Sequence, residues 1–188
     1  MDAIDWTMAC TLATRVLRGV SVVDVGAGLG RYATVLRNPN LNGPRFYAAY
    51  DGSSNIERVT NGVVKHVDLT RPLDEPLGVF DWALCLEVAE HVPAEHSDAF
   101  LDKLDAVNTQ GVVLSWAPPG QGGHFHVNEQ PPEHAIARMA ARGYAVDQAL
   151  TDELRGSANA HGCCFYFKRS VFVFRRSSAA GRRLRLRG

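Results

Sequence analysis

Glu87, Glu90 and His91 fall within five residues of "LEVAEHVP", an E-x-x-E-H pattern. Two carboxylates and an imidazole this close can share one divalent ion. Hard cations take carboxylate oxygens, and imidazole favours Mn²⁺, Fe²⁺ or Zn²⁺ over Mg²⁺. The alternative is a histidine that only packs or borders a substrate. A second group lies in "APPGQGGHFHVNEQPPEH", residues 117–134. His124 and His126 are two apart, so an extended segment points both the same way. Either can serve as general base for a hydroxyl, because imidazole titrates near neutral pH. Otherwise both hydrogen-bond within the loop and fix its shape. The glycines and prolines mark an irregular loop, and such long loops often cover functional sites. Gln121, Asn128 and Glu129 add polar groups to it.

A third group is "SVVDVGAGLGR", residues 21–31, where Gly26, Gly28 and Gly30 follow a short apolar run. Glycines allow a tight turn and a close approach of ligand to backbone. Dinucleotide sites use G-x-G-x-x-G with the pyrophosphate at a helix N-terminus. Here the third glycine comes one residue early, and Asp24 stands beside the loop. A carboxylate there repels a pyrophosphate and suits a ligand with a cationic end.

The elements that must carry these groups alternate between strand and helix. Helical spacing predicts helices over 5–18, 31–37, 55–60, 97–107 and 131–142, with another inside 151–169. Apolar runs predict strands over 21–25, 45–51, 63–69, 80–88, 111–117, 144–150 and 170–176. Several are apolar on both faces, as a parallel sheet covered on both sides requires. The fold class is α/β: one doubly wound domain over residues 1–176, followed by a basic tail, 177–188, expected to be disordered. In such folds ligands bind outside the carboxyl ends of the strands, where the glycine loop lies.

Composition excludes several classes. The chain has 188 residues, 46% hydrophobic and 21% charged, with no apolar run long enough to span a membrane. The N-terminus is acidic and lacks a secretory signal's basic region. Cys10, Cys85, Cys163 and Cys164 form no C-x-x-C pair, which fits reduced thiols and a cytoplasmic location. Net charge is zero, but residues 175–188 hold six of the 20 basic residues, leaving 14 against 20 acids in the body, or −6. An acidic body disfavours phosphate backbones.

"DVGAGLG" resembles the D/E-x-G-x-G-x-G signature of class I S-adenosylmethionine-dependent methyltransferases. "YAAYDGS", "HVDL", "FDWALCLEVAEHVP" and "SVFVFRR" resemble that family's second, third, fourth and last strands, in order and over nearly the whole chain. The resemblance implies a seven-stranded, mostly parallel sheet with helices on both faces and an antiparallel last strand. It also implies S-adenosylmethionine as cofactor and S-adenosylhomocysteine as product. Gly26, Gly28 and Gly30 would approach the methionine part and ribose, Asp24 the amino group, and Asp51 the ribose hydroxyls. Asp68 and Leu69 would sit at the adenine edge and Glu87 at the sulfonium end. Asp51 and Asp68 also read as turn formers. The E-x-x-E-H turn is similar to that of metal-dependent methyltransferases acting on small-RNA 3′ ends and in the ubiquinone pathway. Such a site would use Glu87, Glu90, His91 and a later histidine, His126 or His124, although metal-free relatives carry the same "EH".

The implied reaction passes a methyl group from the sulfonium to an acceptor, with alignment and exclusion of water as the protein's main work. Catalytic candidates are His126, His124 and Glu87, while Trp116 and Phe125 could form an aromatic wall attracting the sulfonium. The core fold consumes nearly the whole chain, so a small-molecule acceptor fits best, with the protein a monomer or homodimer and no membrane partner. The alternative acceptor is RNA, with or without a divalent metal. It lacks an N/D-P-P-Y type tetrad after strand four, where "LEVA" stands. A binding protein without activity and a hydride-transferring NAD enzyme are further rivals, the last opposed by the glycine spacing.

Overall fold

The computed structural model describes residues 4–68, 77–158 and 164–177. Its sheet has seven strands: β1 (Ser21–Val25), β2 (Phe46–Asp51), β3 (Lys65–His66), β4 (Phe80–Cys85), β5 (Asn108–Ser115), β6 (Tyr144–Val146) and β7 (Val171–Arg176), in the order β3-β2-β1-β4-β5-β7-β6. Strands β1 to β5 pair in parallel; β7 runs antiparallel to both β5 and β6. This is the doubly wound sheet with an antiparallel last strand expected above.

Alternation along the strands divides the core in two. Val22, Trp82, Leu84, Val113 and Val173 face one side; Val23, Ala83, Cys85, Val112 and Leu114 face the other. The first face is covered by α1 (Trp6–Thr11), α2 (Arg31–Leu36), α3 (Ile56–Val59), α6 (Gln148–Ser157) and α7 (Phe167–Ser170). The second is covered by α4 (Ser97–Ala106) and α5 (Pro132–Ala141). Helix α1 is capped by Asp5, whose carboxylate accepts from Met8 N at 3.0 Å. It then widens to a π-helix over Leu12–Val16, where Leu17 N reaches back five residues to the Leu12 carbonyl at 2.8 Å. Thr11 and Thr14 hydroxyls bond carbonyls one turn back, and such side-chain donors loosen the regular ladder.

Four strands end earlier than the sequence indicates, among them β5, which stops at Ser115 rather than residue 117. β4 stops at Cys85 rather than residue 88, because Glu87 takes φ +56°, which no strand residue adopts. β6 stops at Val146 rather than 150, because the Asp147 side chain accepts from Leu150 N and caps α6. β3 is only Lys65–His66, an exposed edge paired to Tyr50 and Asp51. Leu69, Cys163 and residues 178–188 of the tail lie outside the described residues.

The chain leaves β1 toward β2 on one side and returns through β4 on the other. The helices after β1 and β4 pack on opposite faces, so a crevice opens at the carboxyl ends of these two strands.

Candidate functional site

A cavity of about 560 Å³ fills that crevice. Asp24, Gly26, Gly28, Asp51, Asp68 and Glu87 all line it. The glycine loop is folded against β2: the amides of Gly26 and Ala27 both donate to the Tyr50 carbonyl, at 2.8 and 3.0 Å. Gly26, Gly28 and Gly30 have φ of +79°, +53° and +71°. At Gly26 a Cβ would stand 2.2 Å from Val88 Cγ2, so strain and collision both demand glycine. Gly30 does not line the cavity and serves as the bend that starts α2.

Asp51 ends β2 and ties the loops on either side of the cavity. Its Oδ2 accepts from Gly28 N and its Oδ1 from Ser53 N, both at 2.9 Å. A carboxylate has about four lone-pair directions, so capacity remains for a bound diol. Asp24 is 3% exposed, and its Oδ2 accepts from the Tyr47 hydroxyl. Burial pushes its pKa up to about 7; the Tyr47 hydrogen bond opposes that rise, and the nearby Asp51 charge adds to it. Tyr32 also lines the cavity, and its buried hydroxyl has no hydrogen-bond partner among the described residues.

Glu87 bridges β4, β5 and the loop after β5. Its backbone N–H donates to Ser115 Oγ at 2.6 Å. Its carboxylate accepts from Ser115 Oγ at 2.8 Å and from Gln121 Nε2 at 2.9 Å. Three residues on, Glu90 is wholly buried, and burial, with the Glu87 charge, pushes its pKa up to about 8. Glu90, His91 and His126 come together, each offering a donor atom within 4.8 Å of the others. Glu87 lies outside this group.

The loop over 117–131 is held down rather than free. Val127 and Asn128 amides donate to the Glu90 carbonyl, both at 3.0 Å. Buried Asn128 donates through Nδ2 to the Val92 carbonyl at 2.9 Å and Ser97 Oγ at 3.0 Å. Trp116 is buried, its Nε1 donating to the Asn128 carbonyl at 2.7 Å, so it packs under the loop and lines no wall. Phe125 has φ +62° and is 87% exposed. That positive φ breaks the extended geometry, so His124 and His126 do not point the same way. His124 is exposed, while the His126 side chain is 10% exposed and its Nδ1 lies 3.0 Å from Glu129 Oε1. Neither lines the cavity; His91 does.

The sequence reading missed Tyr32, Tyr47 and Ser115. Tyr47, Ala49 and Asp51 alternate onto one face of β2, with Tyr47 opposite Val22 and Ala49 opposite Asp24. Pairing β1 with β2 in register would have put the Tyr47 hydroxyl near Asp24.

No protein-family model matches the chain, and no curated protein matches it. Solved structures do. A magnesium protoporphyrin IX methyltransferase from Synechocystis PCC 6803 with bound S-adenosylmethionine is 18% identical, with a TM-score of 0.63 over 92% of this chain and 77% of that one. CalS10, an amino pentose methyltransferase from Micromonospora echinaspora, is 15% identical, with a TM-score of 0.57 over 85% and 84%. The small RNA methyltransferase HEN1 is 17% identical, with a TM-score of 0.66 over 90% of this chain and 24% of that one. The chain has the fold of the class I S-adenosylmethionine-dependent methyltransferases.

Proposed function

We propose that this chain is an S-adenosylmethionine-dependent methyltransferase acting on a small-molecule acceptor. A fold alone does not fix an activity, so the reading rests on the site. The observation that carries it is the set of carboxylates, Asp24, Asp51 and Asp68, around a cavity floored by a bare glycine loop. Such a wall opposes a diphosphate and suits a cationic ligand bearing an ammonium and a diol. The cradle fits the group: Gly26 leaves no room for a side chain, and the cavity is of ligand size. When bound, S-adenosylmethionine supplies a methyl group activated by positively charged sulfur.

The chain's residues position and shield. Asp24, once ionised, accepts from the ammonium, and Tyr47 holds its carboxylate in place. Asp51 accepts from the ribose hydroxyls while keeping the glycine loop folded. Asp68 lines the same cavity and would border the adenine edge. Glu87, fixed by Ser115 and Gln121, lines the cavity and would face the reacting end. Tyr166 and Phe167 close the cavity against water. The base role read for His124 and His126 finds no support in their placement, since neither lines the cavity. Among the described residues no helix is long and apolar enough to cross a membrane.

Calorimetric titration with S-adenosylmethionine, S-adenosylhomocysteine and NAD tests the reading. Binding of the first two, lost in Asp51→Ala, is the expected result. Binding of NAD alone overturns it. A salt-dependent shift of RNA would replace the small acceptor by a nucleic acid.

A further inference from the structure

The cavity extends beyond the residues read for the cofactor. Asp24 and Asp51 stand at the ends of β1 and β2, and Asp68 follows β3. The sheet order places β4, β5 and β7 on the other side of β1 from β2 and β3. Over that side the lining comes from Leu86 and Glu87, just past β4, and from Tyr166 and Phe167, at the start of α7. Helix α7 runs directly into β7, and its Ser170 Oγ lies 3.4 Å from Glu87 Oε1. On the methyltransferase reading, on which this inference rests, a cofactor over β1, β2 and β3 leaves this half of the cavity for the methyl acceptor.

The walls of that half are apolar and flat. The Tyr166 and Phe167 rings have centroids 4.8 Å apart and are tilted by 56°, so together they offer a face and an edge to a third ring. Among the described residues no lysine lines the cavity, and Arg31, His91 and His96 are exposed. An acceptor carrying a carboxylate or a phosphate would meet the Glu87 carboxylate with no buried cation beside it. A sugar brings several hydroxyls, and each one buried needs a partner. The Glu87 carboxylate is already held by Ser115 and Gln121.

One polar group here is unmet. Tyr32, on α2, has a buried hydroxyl without a hydrogen-bond partner among the described residues. Burial holds its pKa well above the usual value, and Cys164, Tyr166, Asp24 and Asp5 act in the same direction, so it stays a neutral donor and acceptor. Asp24 and Tyr166 both act on it, which puts the hydroxyl where the two halves of the cavity meet. An unmet buried hydroxyl costs about 1 to 3 kcal/mol, a cost that a bound polar atom removes. We infer that the methyl acceptor is an uncharged aromatic hydroxy compound, its ring against Tyr166 and Phe167 and its hydroxyl on Tyr32 Oη. In the transfer, a lone pair of that hydroxyl oxygen forms the new O–CH₃ bond. The S–CH₃ bond breaks with its electron pair staying on sulfur, and the hydroxyl proton is released to solvent.

The test reads binding on the full chain saturated with S-adenosylhomocysteine. Four probes separate the properties: 4-methylphenol, toluene without the hydroxyl, 4-methylcyclohexanol without the aromatic ring, and 4-methylbenzoate with a charge. Saturation-transfer NMR titrations should show 4-methylphenol bound with a Kd of about 1 mM. The other three should bind at least about 10-fold more weakly. Tyr32→Phe should weaken 4-methylphenol about 10-fold while leaving toluene, and S-adenosylhomocysteine by calorimetry, unchanged. The variant loses an unmet buried hydroxyl, so it should melt at or above the wild type. Equal binding of 4-methylphenol and toluene, tighter binding of 4-methylcyclohexanol or 4-methylbenzoate, or no binding of any probe overturns the inference. So does Tyr32→Phe melting below the wild type, or weakening S-adenosylhomocysteine in place of 4-methylphenol. If S-adenosylhomocysteine fails to bind the wild type, the methyltransferase reading falls, and this inference falls with it.

Discussion

The Tyr47 hydroxyl on β2 donates to Asp24 Oδ2 on neighbouring β1, beneath the glycine loop. Both residues are buried, so the bond joins two strands in a region water does not reach. Tyr47→Phe leaves Asp24 without this donor. It should cost about 1 to 3 kcal/mol in denaturant unfolding and push the Asp24 pKa higher still. Cofactor affinity near neutral pH should fall, and recover as pH rises.

Asp24 gives stability a distinctive pH dependence. Its folded pKa of about 7 lies above the ordinary 3.8, so between these values the folded chain holds a proton that the unfolded chain has lost. Unfolding free energy from this group therefore declines as pH rises from about 4 to about 7, by up to roughly 4 kcal/mol. Asp24→Asn should flatten that slope in melts across the range. An ammonium-bearing ligand needs the ionised carboxylate, so its affinity should rise with pH over the same window in the wild type only.

Gly26→Ala meets two obstacles, φ +79° and a Cβ 2.2 Å from Val88 Cγ2. Each costs on the order of 1 to 3 kcal/mol. Adding Val88→Ala removes the collision but not the strain, so the double variant should regain part of the lost melting temperature. Cofactor binding should stay impaired in both, as measured by calorimetry.

Asn128 anchors the loop after β5 from a buried position. Asn128→Ala strips donors from the Val92 carbonyl and Ser97 Oγ and should cost about 2 to 4 kcal/mol. Hydrogen exchange should show amides of Val127 and its neighbours losing protection before the sheet does. Equal protection in variant and wild type would show that the backbone bonds to the Glu90 carbonyl suffice.

How much of this was legible depends on the range of the interactions. β1 was read to the residue, because an apolar run ending in glycines is a local signal. The acids Asp24, Asp51 and Asp68 were legible as strand ends, and all reach the cavity. The α6 start was missed although Asp147 is an ordinary capping residue, because the apolar "YAV" before it suggested a longer strand. Tyr47 could not be read without the β1–β2 register, and Ser115 not without that of β4 and β5. His124 and His126 were separated by the positive φ at Phe125, a non-glycine residue that gives no local warning of it.

Trp116 sits under the loop with its indole N–H on the Asn128 carbonyl and its ring edge-on to His134, centroids 5.2 Å apart. Trp82 is sealed in the sheet, and Trp6 is already open to solvent. Of these indoles, Trp116 alone is both shielded and bonded to the loop, so the chain carries a built-in optical gauge. Its emission should redden when the loop lifts, which permits loop opening to be timed in a stopped-flow instrument without attaching a dye.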